Sequence, residues 1–271
     1  MSQAAFNFLT IPQRPPKPRT KGITCVTDVC HTTAAIDDFL GTFSDLVDRV
    51  KMINHFETTG QYTDEFYRHR IKVLERHQVE SYIGGLTFEV AYVQGHYRQF
   101  FQKSLELGFK AVEIAEDAIP YMPPGERIRI VKEARSMGLR VFTEYGKKYP
   151  DKPLAVEEAV RAIEADLEGG AEHVVMEKGE IRLLRETKNF EALAQIARAV
   201  GIQNLFFELR EGYNTPQPWD ELCRWLFDVL GTDVNVMNIN LEEAYVVDTM
   251  RRGILEFLDN QVAEKKLVSS K

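Results

Sequence analysis

A chain of 271 residues, 44% hydrophobic and 28% charged, holds enough apolar material for a sizeable core, and none of its apolar runs nears the roughly 18 residues of a membrane span. Its formal net charge of −7 argues against nucleic acid as a partner, because phosphate backbones are bound by basic surfaces. Three scattered cysteines, Cys25, Cys30 and Cys223, make no disulfide framework, and with no secretory h-region at the start the expected setting is cytoplasmic.

In chain order, residues 1–21 come first. Pro12, Pro15, Pro16 and Pro18 stand there among basic residues, which reads as an extended arm: a flexible tail, a cover for one end of the fold, or a contact with a neighbouring subunit of a homo-oligomer. Eight strand candidates follow, at Ile23 to Val29, Val50 to Asn54, Ser81 to Gly85, Ala111 to Ala115, Arg140 to Tyr145, His173 to Glu177, Leu205 to Leu209 and Val234 to Ile239. Helical patterns separate all of them, and several end in glycine (Gly108, Gly138, Gly169 with Gly170, Gly201, Gly231), the residue that turns a helix end back into a strand. Eight such units match a single (β/α)8 TIM barrel, typically about 250 residues. A doubly wound open sheet fits the same alternation, but no Gly-rich dinucleotide fingerprint follows the first strand. The expected division is an arm at 1–21, a barrel at 22–258 and a polar tail at 259–271.

Four of the strand candidates run into a glutamate: Glu113, Glu144, Glu177 and Glu208, at steps of 31, 33 and 31 residues. That is about one strand, crossover helix and return, so all four are expected at one mouth of the barrel, the end where this fold does its chemistry. A lone glutamate would only cap a helix or meet a lysine. Four in one ring repel each other unless cations sit among them. Lys51, Lys147, Lys148 and Lys178 supply some of that charge, and oxygen ligands without a His or Cys cluster favour Mg2+ over zinc. Cys25, Cys30 and His31 have poor zinc spacing and read as buried strand-end residues. His69 and His77 fall on a charged helix and read as surface, whereas His55 follows the second strand and is placed to line the mouth.

A phosphate is the second expected ligand. Gly84-Gly85 closes the third strand, where backbone amides can approach an anion or simply make a tight turn. After the eighth strand, Asn240 with Glu243 three residues on reads as a capped helix start, with Arg210 a nearby cation in the usual phosphate region of this fold.

The runs Ile83-Gly84-Gly85-Leu86-Thr87-Phe88-Glu89, Gly108 to Ile114, Thr143-Glu144-Tyr145-Gly146-Lys147-Lys148, Phe207-Glu208, Val234-Asn235 through Asn238, and Thr249 to Gly253 together resemble the phosphosulfolactate synthase family, from about Lys21 to Gly253. The resemblance implies a (β/α)8 barrel that adds sulfite to phosphoenolpyruvate with magnesium, an early step toward coenzyme M. It implies Lys148 as general acid with Glu144 and Lys51 as catalytic partners. It also implies a small phosphorylated acid held near Asp28, Gly84, Gly85, Lys147, Arg210, Asn235 and Asn238, and a metal among Glu113, Glu177 and Glu208. The loops after the first, second and sixth strands differ from the family pattern: Asp28 leads into Val29-Cys30, Lys51 into Met52-Ile53-Asn54-His55-Phe56-Glu57, and Glu177 into Lys178-Gly179-Glu180-Ile181-Arg182. Three readings follow: a synthase of that family, a lyase of the same mechanism with another nucleophile or phosphorylated acid, or a non-catalytic barrel like the plant heat-stress-associated branch.

Overall fold

The strands close on themselves. In the computed structural model, which describes residues 5–9, 11–28, 31–52, 62–123, 125–210 and 219–253, eight parallel strands form one barrel in sequence order: β1 (Thr24–Thr27), β2 (Arg49–Met52), β3 (Glu80–Ile83), β4 (Ala111–Ile114), β5 (Arg140–Tyr145), β6 (His173–Met176), β7 (Leu205–Glu208) and β8 (Asn235–Ile239), with β8 paired back to β1. Helices α1 (Thr33–Phe43), α2 (Asp64–Arg76), α3 (Gly85–Val93), α4 (Tyr97–Leu107), α5 (Glu126–Ser136), α6 (Val156–Gly169), α7 (Lys178–Glu186), α8 (Phe190–Val200), α9 (Trp219–Leu230) and α10 (Ala244–Arg252) surround it. The expected single (β/α)8 barrel is the fold. Gly108 and Gly170 cap α4 and α6 at φ of 104° and 107°, a left-handed turn that a side chain rarely takes.

Alternation along the strands divides the core in two. Val112, Ile114, Val174, Met176, Leu205 and Phe207 face the helices, whereas Ala111, Phe142, Val175 and Phe206 fill the barrel interior with Cys25, Tyr82 and Met237. Each of those four interior residues stands two places before one of the glutamates, and a period of two puts the glutamates on the same inner side, one layer higher. Their equal sequence steps are thus the repeat of the barrel itself.

One strand departs from the period. Pairing of β1 with β8 shifts from Thr24 opposite Val236 to Val26 opposite Ile239, an extra residue on β8, and Asn238 takes a φ of 57°. A bulge of this kind re-aims a side chain, and here Asn238 turns to donate to Glu208 Oε1.

At the opposite end, residues 11–21 are bound to the barrel and are not a free tail. Arg19 meets Asp48 at 2.8 Å and Asp45 at 2.5 Å, Arg14 meets Asp48 at 3.1 Å and Asp248 at 3.3 Å, and Lys17 donates to the carbonyls of Ser44 and Val47. The arm therefore covers the N-terminal face, over a cavity of about 470 Å³ lined in part by Arg49, Arg140, Glu172 and His173. The expected tail at 259–271 and His55, which the sequence placed within reach of the mouth, lie outside the described residues, as does Cys30.

Candidate active site

The inner layer at the C-terminal mouth begins with Lys51. Its ammonium is buried and stands 2.8 Å from Glu113 Oε1 and 3.9 Å from Glu208 Oε1. Burial alone would lower its pKa, but the fields of Glu113, Glu208 and Glu144 outweigh that and hold it well above the usual lysine range. Glu113 Oε1 also accepts the amide of Gly85 at 2.8 Å. Glu208 is tied to Asn238, whose Oδ1 accepts Thr27 Oγ1 at 3.2 Å. Two of the three expected metal ligands, Glu113 and Glu208, are thus the partners of a lysine.

The third, Glu177, belongs to another group. Oxygens of Asp117, Glu144 and Glu177 lie within 4.8 Å of one another. Among the described residues no N–H group donates to either buried carboxylate oxygen of Glu177, which faces the carboxyls of Glu144 and Glu208. Burial, then Glu208 and Glu177, push Glu144 well above the usual carboxylate range, and burial, then Glu177, does the same to Glu208. Asp117 ends the group on its solvent side, with Lys148 Nζ 2.5 Å from its Oδ2 and the Lys148 side chain 42% exposed. Glu89 of α3 completes the rim. It accepts the amide of Ala118 at 3.0 Å, and burial and the neighbouring Asp117 raise it to about 8.

Among the described residues the donor set fits a hard divalent cation: three carboxylates converge, the buried oxygens of Glu177 receive no N–H donor and face only the carboxyls of Glu144 and Glu208, and the acids outnumber Lys51 and Lys148. Among the described residues, neither histidine nor cysteine stands in the group. His31 instead faces Glu242 at 2.8 Å, and Cys25 is buried against Tyr82 in the barrel interior.

The remaining expected residues divide. Asp28 is at the mouth, buried on Arg70 of α2 at 2.5 Å; burial outweighs that partner and raises it to about 6. Gly84 is the N-cap of α3 and Gly85 its first residue, where a Cβ would come within 2.4 Å of Ala115 Cβ. The Gly85 amide is therefore aimed at a carboxylate, Glu113, and the glycine is required by close packing. Lys147 bends away from the acids: it donates to the carbonyls of Glu116 and, at 3.2 Å, Ile119, and lies 3.9 Å over the Tyr121 ring, so it binds one loop to another. Arg210 is held by Glu243, whose Oε2 also accepts the Asn240 amide at 2.7 Å at the helix start. Asn235 corrects an expectation. It opens β8 at the N-terminal end, where its Oδ1 accepts the Ile23 amide at 2.9 Å and its Nδ2 donates to the Leu205 carbonyl at 2.9 Å; it holds β1, β7 and β8 together far from the mouth.

Residues 12–256 match the family described as (2R)-phospho-3-sulfolactate synthase (ComA). The chain belongs to this family. Among its relatives, the phosphosulfolactate synthase of Methanothermobacter thermautotrophicus is 31% identical over 258 residues, covering 92% of this chain and 95% of that protein. Those of Methanocaldococcus jannaschii and Bacillus subtilis are 31% and 26% identical, covering 92% and 95% of their own lengths. Two solved structures share the fold at low identity: dihydrodipicolinate synthase from Agrobacterium tumefaciens superposes with a TM-score of 0.55 at 12% identity, covering 92% of this chain and 80% of that one, and a putative fructose-bisphosphate aldolase from Coccidioides immitis with 0.55 at 12%, covering 93% and 87%. Membership in the phosphosulfolactate synthase family makes this chain a lyase of that general type, and no helix among the described residues is long and apolar enough to cross a membrane.

Two acids of the mouth were not foreseen in the sequence, Asp117 and Glu89. Asp117 lies in the loop after β4 and shares no register with the strand-end glutamates. Glu89 did carry a signal: it is the single charged residue in α3, GLTFEVAYV, and a lone acid in an apolar helix is a candidate for burial.

Proposed function

We propose that this protein adds sulfite to phosphoenolpyruvate, forming phosphosulfolactate, with a magnesium ion held by Asp117, Glu144 and Glu177. The observation that carries the reading is the acid trio beside Lys148 within a chain of this family. Sulfite sulfur would donate its electron pair to C3, forming the C–S bond as the C2–C3 π pair moves to C2 and into the carboxylate; a proton then adds to C2 and the phosphate ester stays intact. Magnesium, when bound, would stabilise the negative charge that develops on the substrate carboxylate.

The chain's own residues account for the other requirements. Phosphoenolpyruvate and sulfite are both anions, and a mouth lined by Glu113, Asp117, Glu144, Glu177 and Glu208 repels them unless cations intervene; Lys51 and Lys148 stand among these acids. Lys148 is the proposed proton donor to C2. Burial would lower its pKa, yet Asp117, Glu144 and Glu177 outweigh it, so the resting side chain is an ammonium with a proton to give. Such an ammonium is a weak acid, but the carbanionic C2 is far more basic, and transfer runs downhill. Lys51, fixed by two carboxylates, contributes a standing positive charge one layer below.

The reading is tested by following loss of the enol phosphate's ultraviolet absorbance with sulfite and magnesium each present or omitted. Consumption that requires both supports it. Phosphoenolpyruvate binding without sulfite-dependent consumption would replace sulfite by another nucleophile.

A further inference from the structure

Arg127, in the first turn of α5, lies outside the ring of strand-end residues yet is bonded to the carriers of two of the three acids. Its Nε faces Asp166 Oδ1 at 3.1 Å and its Nη2 faces Oδ2 at 2.9 Å. On the other side Nη1 reaches Glu116 Oε1 at 2.8 Å and the backbone carbonyl of Glu144 at 3.3 Å. Glu116 immediately precedes Asp117, and its second oxygen accepts the Met122 amide at 2.7 Å, which closes the loop on itself. Asp166 is fully buried in α6, so the back of the guanidinium is anchored to that helix.

We infer that Arg127 and Asp166 are a positioning pair that sets the separation of Asp117 from Glu144. The inference rests on the reading of those acids as metal ligands. A guanidinium is a rigid planar fork with five donors, suited to holding several acceptors at once, whereas a lysine ammonium is a single flexible point. Partners that orient metal ligands from behind contribute about 10- to 100-fold to affinity or activity.

Two variants test it. Arg127→Lys keeps the charge and loses the fork; since it weakens the hold on a buried carboxylate, Arg127→Met with Asp166→Leu removes the fully buried pair together, leaving Glu116, which retains its bond from the Met122 amide, without this cation. Both are expected to lower kcat by about 10- to 100-fold, to leave the KM for phosphoenolpyruvate within about 3-fold, and to weaken magnesium binding about 10-fold in a thermal-shift titration without substrate. A raised KM with kcat preserved would make Arg127 a substrate-binding residue and overturn the inference. So would a lower Tm with kcat and magnesium affinity unchanged, the mark of a purely structural pair. If wild-type protein shows no magnesium response, the metal reading fails, and the split between kcat and KM decides the positioning claim alone: reduced kcat at constant KM upholds it, and wild-type kcat ends it.

Discussion

Replacing Lys51 by methionine would leave Glu113 and Glu208 buried with their shared cation gone. At 2.8 Å and an effective dielectric of 20, the Lys51–Glu113 attraction is about 6 kcal/mol before desolvation, whereas Glu208, at 3.9 Å and pushed toward its neutral form by burial and Glu177, adds little. Much of this offsets the removal of the ammonium from water, and measured losses on breaking one partner of a buried pair run at about 3–5 kcal/mol. Lys51→Met is therefore expected to lose about 3–5 kcal/mol in urea unfolding at pH 7 with magnesium chelated, a large part of the roughly 5–15 kcal/mol that folded proteins possess. The double variant Lys51→Met with Glu113→Gln should recover part of the loss, because the carboxylate stranded by the first change is neutralised with its partner. A loss below about 1 kcal/mol, or a double variant no more stable than the single one, would refute the claim that this lysine is the counter-ion of the inner layer.

Lys148→Ala should reduce turnover by about 10²- to 10⁴-fold with an unchanged circular dichroism spectrum, the range for a lost general acid; a mild effect beside a severe one for Lys147→Ala would exchange the two roles. Gly179→Ala would put a Cβ within 2.3 Å of the Lys148 carbonyl and 2.5 Å of that of Lys147, so the loop must shift; kcat should fall about 10-fold or more, and wild-type kcat would show that the Lys148 backbone need not be fixed. At the covered face, burial would raise Glu172, but a hydrogen bond with His173 and the fields of Arg49 and Arg140 outweigh it and hold it at about 2. A depressed carboxyl stabilises the fold above its ordinary pKa and loses that contribution as pH falls from about 4.5 toward 2. Glu172→Gln should flatten this part of the acid-unfolding curve, and an unchanged curve would remove Glu172 from the acid limb.

The barrel was legible because its repeat is written twice, in the strand-end glutamates and in the glycines that follow the helices. Both are set by the geometry of a βα unit, so the sequence step reports the fold directly. The mouth was legible only where it is made of strand residues: Lys51, Glu113, Glu144, Glu177 and Glu208 follow the alternation that fills the interior. Side chains that enter from loops and helices obey no such period, and Asp117 and Arg70 were missed for that reason. Asp166 is an instructive exception. It falls on the buried stripe of α6 with Ala159 and Ile163, at spacings of four and three, so a carboxyl on an apolar face already marked a buried partner. Asn235 was misread because a polar residue at a strand start and one at a strand end look alike until the direction of the strand is used: its amide ties three strands at the closed end. The local bulge that turns Asn238 toward Glu208 has no sequence period at all.

The most direct test follows the carbon that would gain sulfur. Phosphoenolpyruvate labelled with carbon-13 at C3 is incubated with the protein, magnesium and sulfite in deuterated water and observed by NMR. The expected result is loss of the vinyl methylene signal, growth of a saturated methylene bonded to sulfur, one deuterium at C2 and an intact phosphate ester, all suppressed in Glu177→Gln and in Lys148→Ala. A vinyl signal that persists with sulfite at high protein concentration, or a product formed equally well by Glu177→Gln, would contradict the assignment of this acid and lysine set to sulfite addition.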